Sequence, residues 1–152
     1  QVFFNLIHTE GLPALKLAAK RGIHTVVRSP LNSGLLSGQY TESTRFDPND
    51  ERNNYFRGAT YEKRIQAVKR IQKELTIPDS KMIQFSLSYV LSQDSVDVVI
   101  PGASSVAQLE QYVLPSIGQK HFTPDELNKI DSVVNKYYGT LRSEALVLHV
   151  TP

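Results

Sequence analysis

Two stretches of small and hydroxylated residues are the first places where chemistry can sit. SPLNSGLLSG (29–38) offers the hydroxyls of Ser29, Ser33 and Ser37, and its Gly34 and Gly38 let the backbone bend sharply or come close to a ligand. Such a loop can wrap a pyrophosphate with N–H and O–H donors. A surface loop that happens to be rich in Ser is the plainer reading. The second stretch, PGASSVAQLEQ (101–111), follows the apolar run VDVVI. Pro101 ends the strand ladder, residues 102–105 turn, and Val106 restarts the chain as a helix. Unpaired N–H groups of a helix's first turn favour an anion, and Ser104 adds a hydroxyl. Gln108 lies one turn after Ser104 and can face the same ligand, with Gln111 three residues further along that face. The plainer reading here is a Ser N-cap with solvated glutamines.

Other chemistries find little support. The 152 residues include no cysteine, so thiolate metal sites, cysteine nucleophiles and disulfide scaffolds are excluded. His8, His24, His121 and His149 have no metal-ligand spacing and read as surface or capping residues. Asp47, Asp50 and Glu51 beside Arg52 read as a solvated loop, with Arg52 a candidate pin holding that loop over a ligand. Seventeen basic against fifteen acidic residues leave a formal charge of +2, too balanced for nucleic acid or an anionic membrane as the main partner. No apolar run approaches the ~20 residues that span a bilayer. A cytoplasmic protein is the expectation.

The elements that must position these stretches follow from periodicity. QVFFN (1–5), HTVVR (24–28) and VDVVI (96–100) are short β-branched and aromatic runs, the pattern of parallel strands buried on both faces. Helical spacing of apolar residues recurs over 11–22, 61–75, 80–93, 105–117 and 123–137. Gly22 is a natural stop for the first helix, and Thr123 with Glu126 forms a capping box for the last. This alternation predicts right-handed βαβ units in an α/β fold. Residues 29–60 have no sustained period. They follow the C-terminal end of a strand, where α/β folds place their sites.

In this order and spacing, QVFFN (1–5), RGIHTVVRSPLNSGLLSGQY (21–40), SLSYVLSQDSVDVVIPGASSVAQLEQ (86–111) and FTPDELNKID (122–131) resemble the C-terminal half of the aldo-keto reductases. These are (β/α)8-barrel enzymes that use NADPH. The resemblance implies that residues 1–138 form the C-terminal portion of such a TIM barrel, about three parallel strands with flanking helices, and that 139–152 are a tail. It implies that Gln1 bonds the nicotinamide carboxamide and that Arg28 stacks on the nicotinamide where many members place an aromatic ring. Ser29, Pro30, Leu31, Asn32 and Ser33 would enclose the pyrophosphate. Gly102, Ser104 and Gln108 would hold the adenosine end, with Gln111 beside the base. Three departures stand out: Gln39 replaces a frequent Lys, residues 103–105 lack the cation that clamps a 2′-phosphate, and Gln111-Tyr112 replaces a Glu-Asn pair.

The resemblance further implies an NADP(H)-dependent reduction of a small aldehyde or ketone. Its catalytic Asp, Tyr, Lys and His belong to the N-terminal half of the barrel, so no residue of this chain is assigned to catalysis. A non-catalytic nucleotide-binding or partner-binding protein like the potassium-channel beta subunits is the alternative, as is an inactive truncated product. A whole barrel takes about 250 residues, and this chain opens inside a strand-like run. The expectation is an incomplete sequence of a longer enzyme, a truncated product, or a half-barrel that pairs or self-associates through its open edges.

Overall fold

The computed structural model describes residues 1–56, 59–113 and 121–147. Three strands, β1 (Val2–Phe3), β2 (Val26–Arg28) and β3 (Val98–Ile100), form one parallel sheet in the order β1-β2-β3. Val2 pairs with Val27 and Val27 with Val99; Phe3 pairs with Arg28 and Arg28 with Ile100. Helix α1 (Leu12–Lys20) crosses from β1 to β2. The path from β2 to β3 runs through a long loop, α2 (Arg52–Tyr55), α3 (Ala59–Glu74) and α4 (Met82–Leu91). Helices α5 (Val106–Val113) and α6 (Pro124–Val147) follow β3.

The strands are shorter than the apolar runs that predict them, and side chains explain why. At the start of β2 and β3, Thr25 and Asp97 bond each other instead of extending the ladder. The Thr25 amide donates to Asp97 Oδ2 at 2.7 Å, and the Asp97 amide donates to Thr25 Oγ1 at 3.1 Å. After β1, Asn5 folds the chain back: its Oδ1 accepts from the amides of Ile7 at 3.1 Å and His8 at 3.0 Å. An Asx-type turn of this kind replaces ladder bonds with local ones.

Pairing and alternation divide the sheet into two faces. Val2, Val27 and Val99 turn toward the helices, where Phe4, Leu15, Leu36, Ile71, Met82, Tyr89, Val134 and Tyr138 complete the core. Phe3, Arg28, Val98 and Ile100 lie on the opposite face, and Val98 and Ile100 are 48% and 42% exposed. In a (β/α)8 barrel the helices lie outside, so this second face is the one that fills the barrel interior.

Capping follows the sequence reading. The Gly22 amide donates to Ala19 O and the Ile23 amide to Ala18 O, with Gly22 at φ +67°, a Schellman stop to α1. Thr123 and Glu126 exchange bonds at the start of α6: Thr123 N to Glu126 Oε2 is 2.8 Å and Glu126 N to Thr123 Oγ1 is 3.3 Å. Helix α6 runs beyond the apolar period read over 123–137 and crosses the boundary placed after residue 138. Tyr138 and Leu141 are buried, and Arg142 Nε donates to Ile7 O at 2.8 Å. Residues 114–117 of the helix expected over 105–117 and His149 of the tail lie outside the described residues. Polar links also fasten α6 to the helices beside it, with Tyr137 OH bonding Glu74 among them. Tyr89 OH donates to Asp131 at 2.6 Å from α4, and Lys136 Nζ donates to Glu74 at 2.7 Å on α3.

Candidate cofactor site

Both candidate turns leave the same end of neighbouring strands, because Arg28 and Ile100 are register partners. The turn after β2 has an unusual backbone. Ser29, Asn32 and Ser33 have φ of 56°, 47° and 54°, and Gly34 follows at 91°. Residues other than Gly seldom adopt this left-handed region, where the Cβ crowds the backbone. Within the turn the Asn32 amide donates to Ser29 O at 3.1 Å and the Gly34 amide to Leu31 O at 3.0 Å, so the donors it can offer a ligand are the Ser33 amide and hydroxyl and the Asn32 side chain. Asn5, fully buried, holds the entrance to this turn: its Nδ2 donates to Ser29 O at 3.1 Å.

The eleven residues singled out in the sequence fare differently. Gln1 is exposed, and strand alternation puts it on the Phe3 and Arg28 face, two residues before Phe3. Arg28 is exposed with its guanidinium carbon 5.3 Å from the centre of the Phe3 ring, a cation–π contact. Pro30 and Leu31 are buried, Leu31 within the core, so what they present to a ligand is backbone. Ser33 is exposed. Asn32 is half-buried, and its Nδ2 is a buried donor without a partner.

The turn after β3 is open. Gly102 and Ser104 are exposed, and a Cβ added to Gly102 would meet nothing within 4 Å. Gln108 Oε1 accepts from Ser104 N at 2.8 Å and from Ser104 Oγ at 2.9 Å, while the Gln108 amide donates to Ser105 Oγ at 3.2 Å. Ser105 is thus the helix cap, and Ser104 and Gln108 satisfy each other. Tyr112 is 8% exposed and part of the core, so it is turned away from any base beside Gln111.

Gln111 is exposed and meets the first turn across a cleft of about 570 Å³. Ser37, Gly38 and Gln39 line it together with Gln111 and with Ser80, Lys81 and Gln84 at and just before the start of α4. The carboxylate of Asp79, which also lines the cleft, is neutralised by Lys69 at 2.6 Å and bonded by Gln72 at 2.8 Å, which holds its pKa below the usual range. Lys81 therefore brings positive charge to the cleft, which residues 103–105 do not.

Sequence reasoning missed Asn5 and Tyr40, two residues that build this site, and took Arg52 as a pin on the loop without its partner Tyr40. Asn5 anchors Ser29, Tyr40 packs on Gly34, and Arg52 ties Tyr40 to Asp50. A polar residue closing an apolar run was the available signal for Asn5. Nothing local marks Tyr40 and Arg52 as partners twelve residues apart.

The aldo/keto reductase family pattern matches residues 1–135. The chain belongs to the aldo/keto reductase family. Among its relatives, an aldo-keto reductase of Strobilurus tenacellus is 33% identical over 101 residues, 65% of this chain and 30% of that protein. The L-glyceraldehyde 3-phosphate reductase of Escherichia coli K12 is 30% identical over 115 residues, 72% of this chain and 33% of that one. The fold matches a glycerol dehydrogenase of Gluconobacter oxydans with a TM-score of 0.69 at 21% identity, covering 88% of this chain and 41% of the other. An aldo-keto reductase of Bacillus halodurans matches with a TM-score of 0.61 at 22% identity, covering 86% and 40%. The chain spans about a third of the length of its curated relatives. This aldo/keto reductase chain has the architecture of the C-terminal portion of the (β/α)8 barrel. Among its described residues, no group of three or more His, Asp or Glu is placed to hold a metal ion. No described helix is long and apolar enough to cross a membrane.

Proposed function

We propose that this chain supplies most of the cofactor site of an NADP(H)-dependent oxidoreductase that reduces a small aldehyde or ketone. One observation carries the reading: a left-handed, donor-rich turn and an open helix-start turn leave adjacent, register-paired strand ends. The residues present fit a dinucleotide. Asn32 holds an unpartnered buried amide donor, and the space over Gly102 is open. When bound, the nicotinamide supplies or accepts the hydride.

The chain's own part is to bind and orient. The Ser33 amide and hydroxyl and the Asn32 side-chain amide take the pyrophosphate, through charge-assisted bonds stronger than neutral ones. Arg28 and Gln1 share the interior face, where the nicotinamide must lie to meet a substrate. Ser104 and Gln108 exchange their mutual bonds for the adenosine end, and Gln111 lines the cleft beyond, where Lys81 favours a phosphorylated ribose. Proton transfer to the carbonyl oxygen falls to residues outside this chain. The four histidines and seven tyrosines here are assigned no such role.

Titration with NADPH, followed by nicotinamide fluorescence, tests the reading. Binding tighter than about 1 mM, some −4 kcal/mol, is expected, with weaker binding in Ser104→Ala and Gln108→Ala. A chain that stays folded and leaves NADPH fluorescence unchanged at millimolar nucleotide would refute it.

A further inference from the structure

We propose that Tyr40 and Arg52 are positioning residues that lock the 32–34 turn in its left-handed, anion-receiving form, an inference that rests on the dinucleotide reading above. The turn needs a lock. Asn32 and Ser33 occupy a backbone region disfavoured for L residues, and such conformations persist only where their surroundings over-determine them. Tyr40 supplies two constraints. Its hydroxyl donates to the Ser33 carbonyl at 3.2 Å, and its ring lies so close to Gly34 that a Cβ there would come within 2.3 Å of the phenol oxygen.

Arg52 makes the first constraint directional. Its Nη1 donates to Tyr40 OH at 2.7 Å. A guanidinium has no acceptor, so the phenol oxygen must accept from Arg52 and its own proton is left for Ser33. Arg52 is itself fixed: its Nε donates to both Asp50 oxygens, at 2.8 and 3.0 Å, and its Nη2 bonds Asp50 Oδ2. Its guanidinium carbon stands 4.6 Å from the centre of the Phe46 ring, which meets Tyr40 edge-on. A relay thus runs from Asp50 through Arg52 and Tyr40 to the Ser33 carbonyl. Its last member acts on backbone conformation and so on where the neighbouring amides point.

A double-mutant cycle separates this role from general packing. Tyr40→Phe keeps the ring and removes the hydroxyl, and is expected to weaken NADPH binding about tenfold with little change in the unfolding midpoint. Ser33→Gly frees that position to adopt positive φ at no steric cost. In the Ser33→Gly background, Tyr40→Phe is expected to cost less than about twofold. Arg52→Lys, which lacks the planar fork, should mimic Tyr40→Phe. A Tyr40→Phe protein with unchanged affinity, or with the same loss in both backgrounds, overturns the proposal. If the unaltered chain binds no NADPH, the functional reading fails, and the relay is still read by hydrogen exchange. The amides of Gly34, Leu35 and Leu36, which bond within the turn, should exchange about tenfold faster in ligand-free Tyr40→Phe. Exchange rates unaltered by Tyr40→Phe would overturn it independently.

Discussion

The turn after β2 and the turn after β3 leave neighbouring strand ends, yet they are built on opposite principles. The first is embedded: Pro30, Leu31, Leu35 and Leu36 bury its apolar side chains, Asn5 holds its start, and Tyr40 holds its middle. The second touches almost nothing. Residues 102–107 are all exposed, and the bonds of Ser104 with Gln108 and of Gln108 with Ser105 are internal to the turn. A preorganised turn spends its ordering cost on folding, whereas an open one meets that cost when ligand arrives. The contrast assigns the first turn to fixing a ligand's centre and the second to closing on its far end.

Glycine substitutions break the comparison most sharply. Gly38 sits at φ +76°, and a Cβ there would lie 2.3 Å from the Asp79 carbonyl oxygen. Gly38→Ala therefore strains the backbone and drives the loop away from α4, for an expected loss of about 2–4 kcal/mol in urea unfolding. Gly102→Ala is the counterpart in open space and should stay within about 0.5 kcal/mol. Equal losses at both positions would dissolve the distinction between an embedded turn and an open one.

Asn5→Ala comes next. It removes three bonds at a fully buried site, and leaving the Ile7 amide without its acceptor should cost about 1–3 kcal/mol, while the His8 amide keeps its 3.2 Å bond to the Asn5 carbonyl. Ser29 loses its anchor in the same step. Chemical-shift changes should therefore reach residues 29–34 across the sheet, and changes confined to residues 5–8 would count against a buried Asn as the support of the first turn.

The three strands and the longer helices were legible because they rest on local pattern: β-branched runs, helical periods, Gly22 and the Thr123–Glu126 box. The family was legible in the order of its motifs. The short α2, inside the stretch without period, was not. Ser104 and Gln108 were also visible as a pair one turn apart, although their mutual bond was not. The relay to Ser33 was not legible. Tyr40, Phe46, Arg52 and Phe56 lie in a stretch without period, and they find one another only because Phe46 gathers the rings of Tyr40, Phe56 and Tyr61 into a small cluster. Such a cluster is fixed by packing among distant residues rather than by spacing. The burial of Tyr112 was hidden for a similar reason, since its position beside Gln111 says nothing about which way the helix face turns.

Acid sharpens the comparison more gently. The side-chain bonds from Arg52 hold the Asp50 carboxyl at about 2 against an ordinary 3.8. A carboxyl depressed on folding contributes fully above its unfolded value, and that contribution disappears as pH falls through the folded value. Protection of the Gly34 and Leu36 amides, their exchange relative to the intrinsic rate at each pH, should be insensitive to this group down to about pH 4 and should fall between about 4 and 2. Glu74, Asp79 and Asp97 are depressed too, so global loosening accompanies this window. Asp50→Asn at neutral pH isolates the local effect: quicker exchange in residues 34–36 with the strand amides unaltered.

Gln108→Ala should have the smallest effect on the fold. Among the described residues its side chain bonds the exposed Ser104 alone, so stability should move by less than about 0.5 kcal/mol. Its effect on ligand separates two accounts of the open turn. If Gln108 merely caps the helix, NADPH affinity follows stability and scarcely changes. If Ser104 and Gln108 trade their mutual bond for bonds to the adenosine end, each variant weakens binding several-fold, and the double variant weakens it by less than the product, because the pair acts as one unit. Strict multiplicativity would mean that the two side chains meet the ligand independently, and the open turn would then be a set of separate contacts rather than a clasp.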